Sequence, residues 1–408
     1  MVEPSDILST IPAIKLPSVT HSMQVVAQHH GVSVGRQLRE IFALRYGPGK
    51  LTPQEYYRFH LYRRSISMAD KRLYKGDVSG RVLNISLTAP KLRGAIYALD
   101  DKLTLLALCK ESDIPATPVQ AVFSSLRKIG GWPVLATHED LTQFLLYDAR
   151  YPIFAKPANG RQSTGGVQIE RLDDDGHLRF LGDVQGPHVD SFAAEVIAKF
   201  PSGYIFQDCA RMAKELLGLT PDAIGPLRII TIMDQPHAPS VLFACFRLPV
   251  SGTETGPGKA KARLFANVDV ATSEINRVID RTNGGSRIID TQPLTGQKLL
   301  GLKIEQMPDA FELVLRAHLM APDVGIVGWD VAITDQGPLI MEGNKNPALT
   351  LIQVCQDRGA LNPDYAPRFA AAKARADAQS AAIKAGQSTW ELGAIREVVA
   401  LERGKLKT

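Results

Sequence analysis

The 408-residue chain has only four cysteines, and they lie far apart, at Cys109, Cys209, Cys245 and Cys355. No pair has the close spacing of a zinc site, so we interpret them as reduced structural thiols of a cytoplasmic protein. The first twenty residues lack a basic segment followed by a long apolar run, so no signal peptide is expected. No stretch approaches about 18 uninterrupted apolar residues, which argues against a membrane-spanning helix.

A strong charge of either sign is also absent. The chain has 47 Lys and Arg against 42 Asp and Glu, a formal net charge of +5, and the excess is not gathered in one basic tract. This suits an anionic ligand but argues against a nucleic-acid partner. There is no internal repeat. The length predicts one large folded unit of two or three lobes.

The stretch 325–347 predicts a β-hairpin around which the chain is organised. Two apolar runs, Ile326–Thr334 and Pro338–Glu342, flank a short polar segment that ends in Gly337. We predict a three-residue loop, because such loops usually end in a left-handed residue and glycine adopts that conformation without strain. Thr334 then faces Pro338, and every later pair follows from that register.

This register predicts a metal site. It sets Asp330 directly opposite Glu342, with Asn344 two residues further along the same face. Two carboxylates whose Cβ atoms are roughly 5 Å apart repel each other unless a cation lies between them. Mg²⁺ or Mn²⁺ prefers such oxygen ligands. The alternative is a hairpin whose acidic side chains simply face water.

A second candidate region is a strand, a glycine-rich loop and another strand. The run Tyr151–Pro157 predicts the first strand, Ala158–Gly166 is a small polar loop, and Val167–Leu172 predicts the second strand. The loop lacks the GK[ST] ending of a P-loop. Its small residues would still let backbone N–H groups approach a polyphosphate, to which Lys156 would add a positive charge.

Two further strands contain charged or polar residues with candidate roles. Gly203–Cys209 predicts a strand whose polar end could meet an adenine and a ribose, although an ordinary strand end explains it as well. Arg228 and Arg247 lie inside otherwise apolar strands, predicted over Pro226–Met233 and Ser240–Pro249. A buried arginine needs an anionic partner, so each is a candidate contact for a phosphate or a carboxylate.

Helical periodicity and capping residues predict the remaining elements. The predicted helices are Val34–Leu44, Pro53–Lys71, Leu99–Ser112, Val189–Phe200, Ala210–Leu217, Phe311–Met320, Pro367–Lys384 and Trp390–Leu406. Lys102 lies near the start of the third helix, where the helix dipole slightly disfavours a lysine that has only a structural role. The last two helices would pack either on the body of the protein or on a second copy, and the second alternative would give a homodimer.

The order of these parts resembles the ATP-grasp superfamily, and most closely its sugar-transfer-associated branch. The resemblance covers about residues 35–355. It rests on these segments of the sequence: LTPQEYYRFHLYR (51–63), FQDCA (206–210), PLRIITI (226–232), RLPVSG (247–252) and GWDVAITDQGPLIMEGN (328–344).

This resemblance implies an α+β fold in which two lobes enclose ATP. It implies a mainly helical N-terminal region (1–98), a small lobe (99–210), a large lobe with the metal site (211–355) and a helical C-terminal tail (356–408). Asp330, Glu342 and Asn344 would hold Mg²⁺ or Mn²⁺, and Arg228 and Arg247 would act in catalysis. The implied ATP contacts are Lys102, Lys156, Asn159, Gly160, Ser163, Thr164, Gly165, Gly166, Gln207, Asp208 and Cys209.

The implied reaction phosphorylates a small-molecule carboxylate and then joins the acylphosphate to an amine. Positioning and charge neutralisation suffice for such phosphoryl transfer. Two alternatives stay open: an ATP-binding regulatory module of a glycan assembly pathway, and a kinase-like transfer of phosphate to a hydroxyl. The sequence does not disclose the acid or the nucleophile.

Overall fold

The structure is a computed structural model, and it describes residues 8, 17–127, 131–159, 165–220, 225–236, 238–248, 264–281 and 286–386. Within these residues the helices are α1 Val19–His30, α2 Val34–Arg45, α3 Pro53–Arg58, α4 Met68–Lys71, α5 Asp77–Ser86, α6 Gly94–Asp100, α7 Lys102–Glu111, α8 His138–Gln143, α9 Val189–Lys199, α10 Met307–His318, α11 Leu349–Gln356 and α12 Ala366–Lys384.

The described strands form two sheets of seven strands each, the first mixed and the second antiparallel. They are β1 Val119–Phe123, β2 Val134–Leu135, β3 Ile153–Pro157, β4 Val167–Leu172, β5 His177–Phe180, β6 Val184–His188, β7 Tyr204–Asp208, β8 Leu227–Gln235, β9 Ala238–Leu248, β10 Leu264–Val268, β11 Ile275–Asp280, β12 Arg287–Ile288, β13 Ile326–Thr334 and β14 Gly337–Asn344. The first sheet has the order β2-β1-β7-β3-β4-β5-β6, and the second has β12-β11-β10-β9-β8-β13-β14.

Each sheet is the centre of one α+β lobe. In the small lobe, α8 and α9 pack on the sheet through buried residues such as Leu141 and Phe192. The large-lobe sheet is covered on both faces, and β8 contributes to both. Leu227 and Ile229 belong to the apolar cluster that includes α10. Ile230 and Ile232 belong to the cluster that includes α11 and α12. This alternation is the period of a strand.

The two lobes are joined at the edge of the large-lobe sheet, along β14. The chain that leads into β1 pairs with β14 through a parallel bridge between Ala116 and Ile340. The Ile340 amide donates to the Pro115 carbonyl at 2.9 Å, and the Thr117 amide donates to the Ile340 carbonyl at 3.0 Å. The outer edge of β14 is therefore held by the segment that enters the small lobe.

Three predicted elements differ in the structure. The segment 53–71 is two short helices, α3 and α4, because the chain leaves the helix after Phe59 and His60 has a positive φ of 53°. The predicted helix 210–217 is only a single 3₁₀ turn at Lys214–Leu216. The predicted helix 99–112 begins at Lys102, because the side chain of Asp101 caps it there. The predicted helix 390–406 lies outside the described residues.

The hairpin loop is also tighter than predicted. Thr334 pairs with Gly337, so Asp335 and Gln336 alone form the turn. The Thr334 hydroxyl closes it, since Oγ1 donates to the Gly337 carbonyl at 2.7 Å and accepts from the Gln336 amide at 3.1 Å. Gly337 has a φ of 103°, the left-handed conformation predicted for it.

Candidate active site

The predicted pair of carboxylates is present on the central hairpin. Asp330 on β13 lies directly opposite Glu342 on β14, and Asn344 lies opposite Gly328. The shorter loop alone would have displaced this pair by one residue. A bulge at Met341 restores the register, because Asp330 pairs with Glu342 while Val331 pairs with Ile340.

Asp330 is held by two arginines of the neighbouring strands. Arg228 lies opposite Asp330 on β8, and its Nη2 donates to Oδ2 at 2.9 Å while its Nε donates to Oδ1. Arg247 on β9 approaches the same carboxylate at 3.6 Å. Burial alone would raise the pKa of Asp330, but the two guanidinium charges outweigh it and hold that pKa below its ordinary value. The anionic partner expected for Arg228 is therefore supplied, within the protein, by Asp330.

Lys156 brings the small lobe to this hairpin. It lies on β3 and is 8% exposed, and its Nζ donates to the Met341 carbonyl at 3.2 Å. The bulge explains this contact, since Met341 has no partner on β13. Burial lowers the pKa of Lys156 to about 8, although the charge of Glu342 works in the opposite direction. The charge of Lys102 lowers it further, so the two lysines lie close together.

Lys102 is positioned by the start of α7. It is the first residue of that helix and is buried. Its amide donates to the Ala158 carbonyl at 3.4 Å, which ties the helix start to the end of β3. The structure thus brings together both predicted lysines, both predicted arginines and the carboxylate pair.

The polar end of β7, which was a candidate for contacting adenine and ribose, has most of its polar groups engaged within the protein. Gln207 is buried, and its Nε2 donates to the Thr117 carbonyl at 3.0 Å. The Asp208 carboxylate accepts from Gln120 at 2.7 Å and from Arg150 at 3.2 Å. The Asp208 amide donates to the Pro118 carbonyl. These bonds direct the Asp208 side chain toward β1 and the loop before β3.

The backbone and the thiol of Cys209 are also constrained. Its amide donates to the Pro152 carbonyl at 3.3 Å. Burial raises the pKa of its thiol to about 12. This thiol is therefore uncharged at neutral pH.

The glycine-rich loop is described only at its two ends. Asn159 is exposed just after β3, and Gly166 is half-buried before β4. Gly165 has a φ of 75°, and its carbonyl accepts from the Tyr204 hydroxyl at 2.7 Å. A Cβ at Gly165 would lie 2.7 Å from the ring of Phe200, so only glycine fits there. The other predicted ATP contacts of this loop, Gly160, Ser163 and Thr164, lie outside the described residues.

The residues present fit a divalent cation. In the described part of the chain no three His, Cys, Asp or Glu side chains form a metal-binding group, so the candidate set is two carboxylates and one amide. The Nδ2 atom of Asn344 is buried without a hydrogen-bond partner. The protein therefore does not fix this amide, and its oxygen is free to turn toward a cation beside Glu342. An all-oxygen set suits Mg²⁺ or Mn²⁺.

Reasoning from the sequence missed a cavity beside the hairpin. Its volume is about 360 Å³, and it lies where the chain leaves β14 and meets α3 and α5. Arg58 and Arg81 contribute to its wall. No local pattern in the segment 51–63 indicated that Arg58 would face a cavity.

Two α+β lobes that meet at lysines from one and carboxylates from the other form an ATP-grasp fold. The model of the sugar-transfer associated ATP-grasp family matches residues 90–364, and the chain belongs to that family. No curated protein matches the chain.

Solved structures with related folds are distant. The D-alanine-D-alanine ligase from Coxiella burnetii is 11% identical with a TM-score of 0.42, over 71% of this chain and 60% of that one. A biotin carboxylase from Campylobacter jejuni is 10% identical with a TM-score of 0.42, over 68% of this chain and 47% of that one. This chain therefore spans less than two thirds of either, and the family assignment does not depend on them.

In the described residues, no helix has both the length and the apolar character needed to cross a bilayer.

Proposed function

We propose that this protein is an ATP-dependent ligase that joins a small-molecule carboxylate to an amine through an acylphosphate, with release of ADP and phosphate. The observation that carries the proposal is the meeting of Lys156 with the Met341 carbonyl at 3.2 Å, beside the pair of Asp330 and Glu342. Buried cations from one lobe thus face carboxylates from the other. A polyphosphate and a cation between them would satisfy both sets of charges.

In this proposal the two lysines bind the nucleotide. Lys102 and Lys156 would hold the phosphates, and the backbone of the glycine-rich loop at 159–166 would cover them. Gln207 to Cys209 would lie beside the adenine. Because the Asp208 carboxylate already accepts from Gln120 and Arg150, a ribose contact from Asp208 would require those bonds to be shared.

Asp330, Glu342 and Asn344 would hold Mg²⁺, which would neutralise charge on the phosphates. Arg228 would serve the transferred phosphoryl group. Its Nε and Nη2 are engaged by Asp330, while Nη1 makes no bond to that carboxylate. The pairing with Asp330 fixes the plane of the guanidinium, so the remaining donors are already oriented.

The reaction then proceeds in two displacements. A carboxylate oxygen of the substrate attacks the γ-phosphorus of ATP, and the bond to the bridging oxygen breaks to release ADP. The amine attacks the acyl carbon, phosphate leaves, and the amine loses a proton. Arg228 and Arg247 would stabilise charge on the phosphoryl oxygens in both steps. Closure of the lobes would keep water from the acylphosphate.

The test is a screen of small-metabolite pools for release of ADP, with mass spectrometry of the product. Release that needs a carboxylate and an amine together supports the ligase. A stable phosphorylated product would instead identify a phosphotransferase, and nucleotide binding without turnover would identify a regulatory module. Glu342→Ala should remove most of the release. Glu312→Ala, on the exposed face of α10, is the matched control and should leave it unchanged.

A further inference from the structure

The cavity beside the hairpin lies next to the candidate reaction centre. Asn346 and Pro347, which follow β14 directly, form part of its wall. A Cβ built on Gly328 would lie 2.9 Å from the Pro347 side chain and 3.5 Å from Nη1 of Arg228. The cavity wall and Nη1 of Arg228, which makes no bond to Asp330, therefore both lie close to this glycine.

The wall is held in place by α5. Asn84 is buried, and its Nδ2 donates to Oδ1 of Asn346 at 2.7 Å and to the Pro347 carbonyl at 2.9 Å. The segment after β14 thus has a fixed conformation. A cavity wall that is fixed in this way can select a ligand by shape.

The charge of the cavity is positive. Arg58 and Arg81 are set against one acidic residue, Asp77. Asp77 accepts from Arg58 at 3.1 Å and also from the Thr350 hydroxyl. Arg281 is close enough to Arg58 for that charge, after burial, to lower its pKa. The Glu55 carboxylate accepts from the Asp77 amide at 2.6 Å, so the excess positive charge of the cavity rests on Arg81.

The size of the cavity suits a small molecule. Its volume of about 360 Å³ is within the range of ligand sites. At roughly 30 Å³ for each water-sized group, it accommodates on the order of a dozen non-hydrogen atoms. The planar arginines match a carboxylate or a phosphate, while Asp77, Asn346 and Thr350 offer partners for hydroxyl groups.

We infer that this cavity binds one substrate of the proposed ligase, and that this substrate is a small hydroxylated anion. The inference rests on the proposed function, because it extends the same site. Arg58 and Arg81 lie outside residues 90–364, which match the family. The N-terminal helices would therefore determine which substrate this chain accepts, while the matched residues bind the nucleotide.

The test measures binding directly by calorimetry, with glucuronate and glucose 1-phosphate as probes and glucose as their neutral counterpart. We expect at least one anionic probe to bind the wild type and glucose to bind at least fivefold more weakly. Arg58→Gln and Arg81→Gln should each weaken the anion at least fivefold. Arg39→Gln, on an exposed position of α2, is the matched control and should change nothing.

A second variant separates binding from folding. A Cβ on Gly80 would make ordinary contact with Leu349 at 3.5 Å, and the longer side chain of Gly80→Leu would occupy part of the cavity; a circular dichroism spectrum like that of the wild type shows that the variant is folded. It should abolish binding of the anion and retain the affinity for a non-hydrolysable ATP analogue. Failure of both anionic probes to bind, or binding that survives both arginine variants, would overturn the inference. Failure of the ATP analogue alone would instead refute the proposed function.

Discussion

The protonation of Lys156 should control the affinity for nucleotide. Burial lowers the pKa of its ammonium group from 10.5 to about 8, so a large fraction of the empty protein lacks this charge in mildly alkaline solution. A phosphate contact requires the charged form. The affinity should therefore fall as the pH rises through 8, in a range where most lysines do not titrate.

The size of the effect follows from that pKa. With a pKa of about 8, the charged fraction of Lys156 falls about eightfold between pH 7.5 and pH 9.0, and the apparent affinity falls by the same factor. The phosphates of the nucleotide contribute little, because their second ionisation lies near pH 6 and is complete at both values. The stability of the empty protein changes in the opposite direction. Between pH 8 and 10.5 the unfolded state binds more protons at Lys156 than the folded state, so the free energy of unfolding rises with pH.

The assay is calorimetric titration with a non-hydrolysable ATP analogue at both pH values, without divalent cation, so that no metal charge shifts the lysine. Lys156→Met should bind more weakly at pH 7.5 and show no such pH dependence. Lys156→Arg keeps its charge at both values and should also have a flat profile. A flat profile in the wild type, or an unchanged slope in Lys156→Met, would refute the reasoning.

Three further outcomes are expected. Glu342→Ala should weaken Mg²⁺ binding at least roughly tenfold, measured by Mg²⁺ titration of activity, while the circular dichroism spectrum stays unchanged. Arg228→Lys should lower turnover at least about tenfold with little change in ATP affinity, because lysine keeps the charge but lacks the planar donors. Equal losses of turnover and ATP affinity would instead assign Arg228 to nucleotide binding. Gly325→Ala should lower the free energy of unfolding by about 1–3 kcal/mol in urea titration, because its Cβ would lie 2.1 Å from the Leu87 carbonyl oxygen. The control, Gly80→Ala, meets no such clash and should be neutral or stabilising by about 0.5–1 kcal/mol. Equal effects of Gly325→Ala and Gly80→Ala on the free energy of unfolding would contradict the packing argument.

The central hairpin illustrates how a correct site can follow from an incorrect loop. The sequence pattern predicted that Asp330 faces Glu342, and the structure agrees. The predicted loop was one residue too long, and the bulge at Met341 compensates for it. A bulge inserts one extra residue into a strand, and the local sequence pattern here gave no sign of it.

Arg228 and Asp208 show the same limit, since the local sequence does not reveal which residues their side chains contact. An anionic partner for Arg228 was predicted from its apolar neighbours, but that partner, Asp330, is 102 residues away. The carboxylate of Asp208 was a candidate for contacting a ribose, and the structure shows that it accepts from Gln120, 88 residues away. Strand alternation determines on which side of a sheet a side chain lies, while the order of strands determines which side chain lies next to it.

The sequence by itself determined the elements with strong local signals, namely the buried strands, the hairpin and the capped helices. Their residues are neighbours along the chain, so spacing and turn chemistry suffice to pair or align them. The tertiary structure alone decided that Lys156 reaches Met341 across 185 residues, and that Arg58 from α3 faces the segment after β14. Such contacts depend on how two lobes and a helical region pack together, and the free energy of that packing belongs to no single segment of the chain.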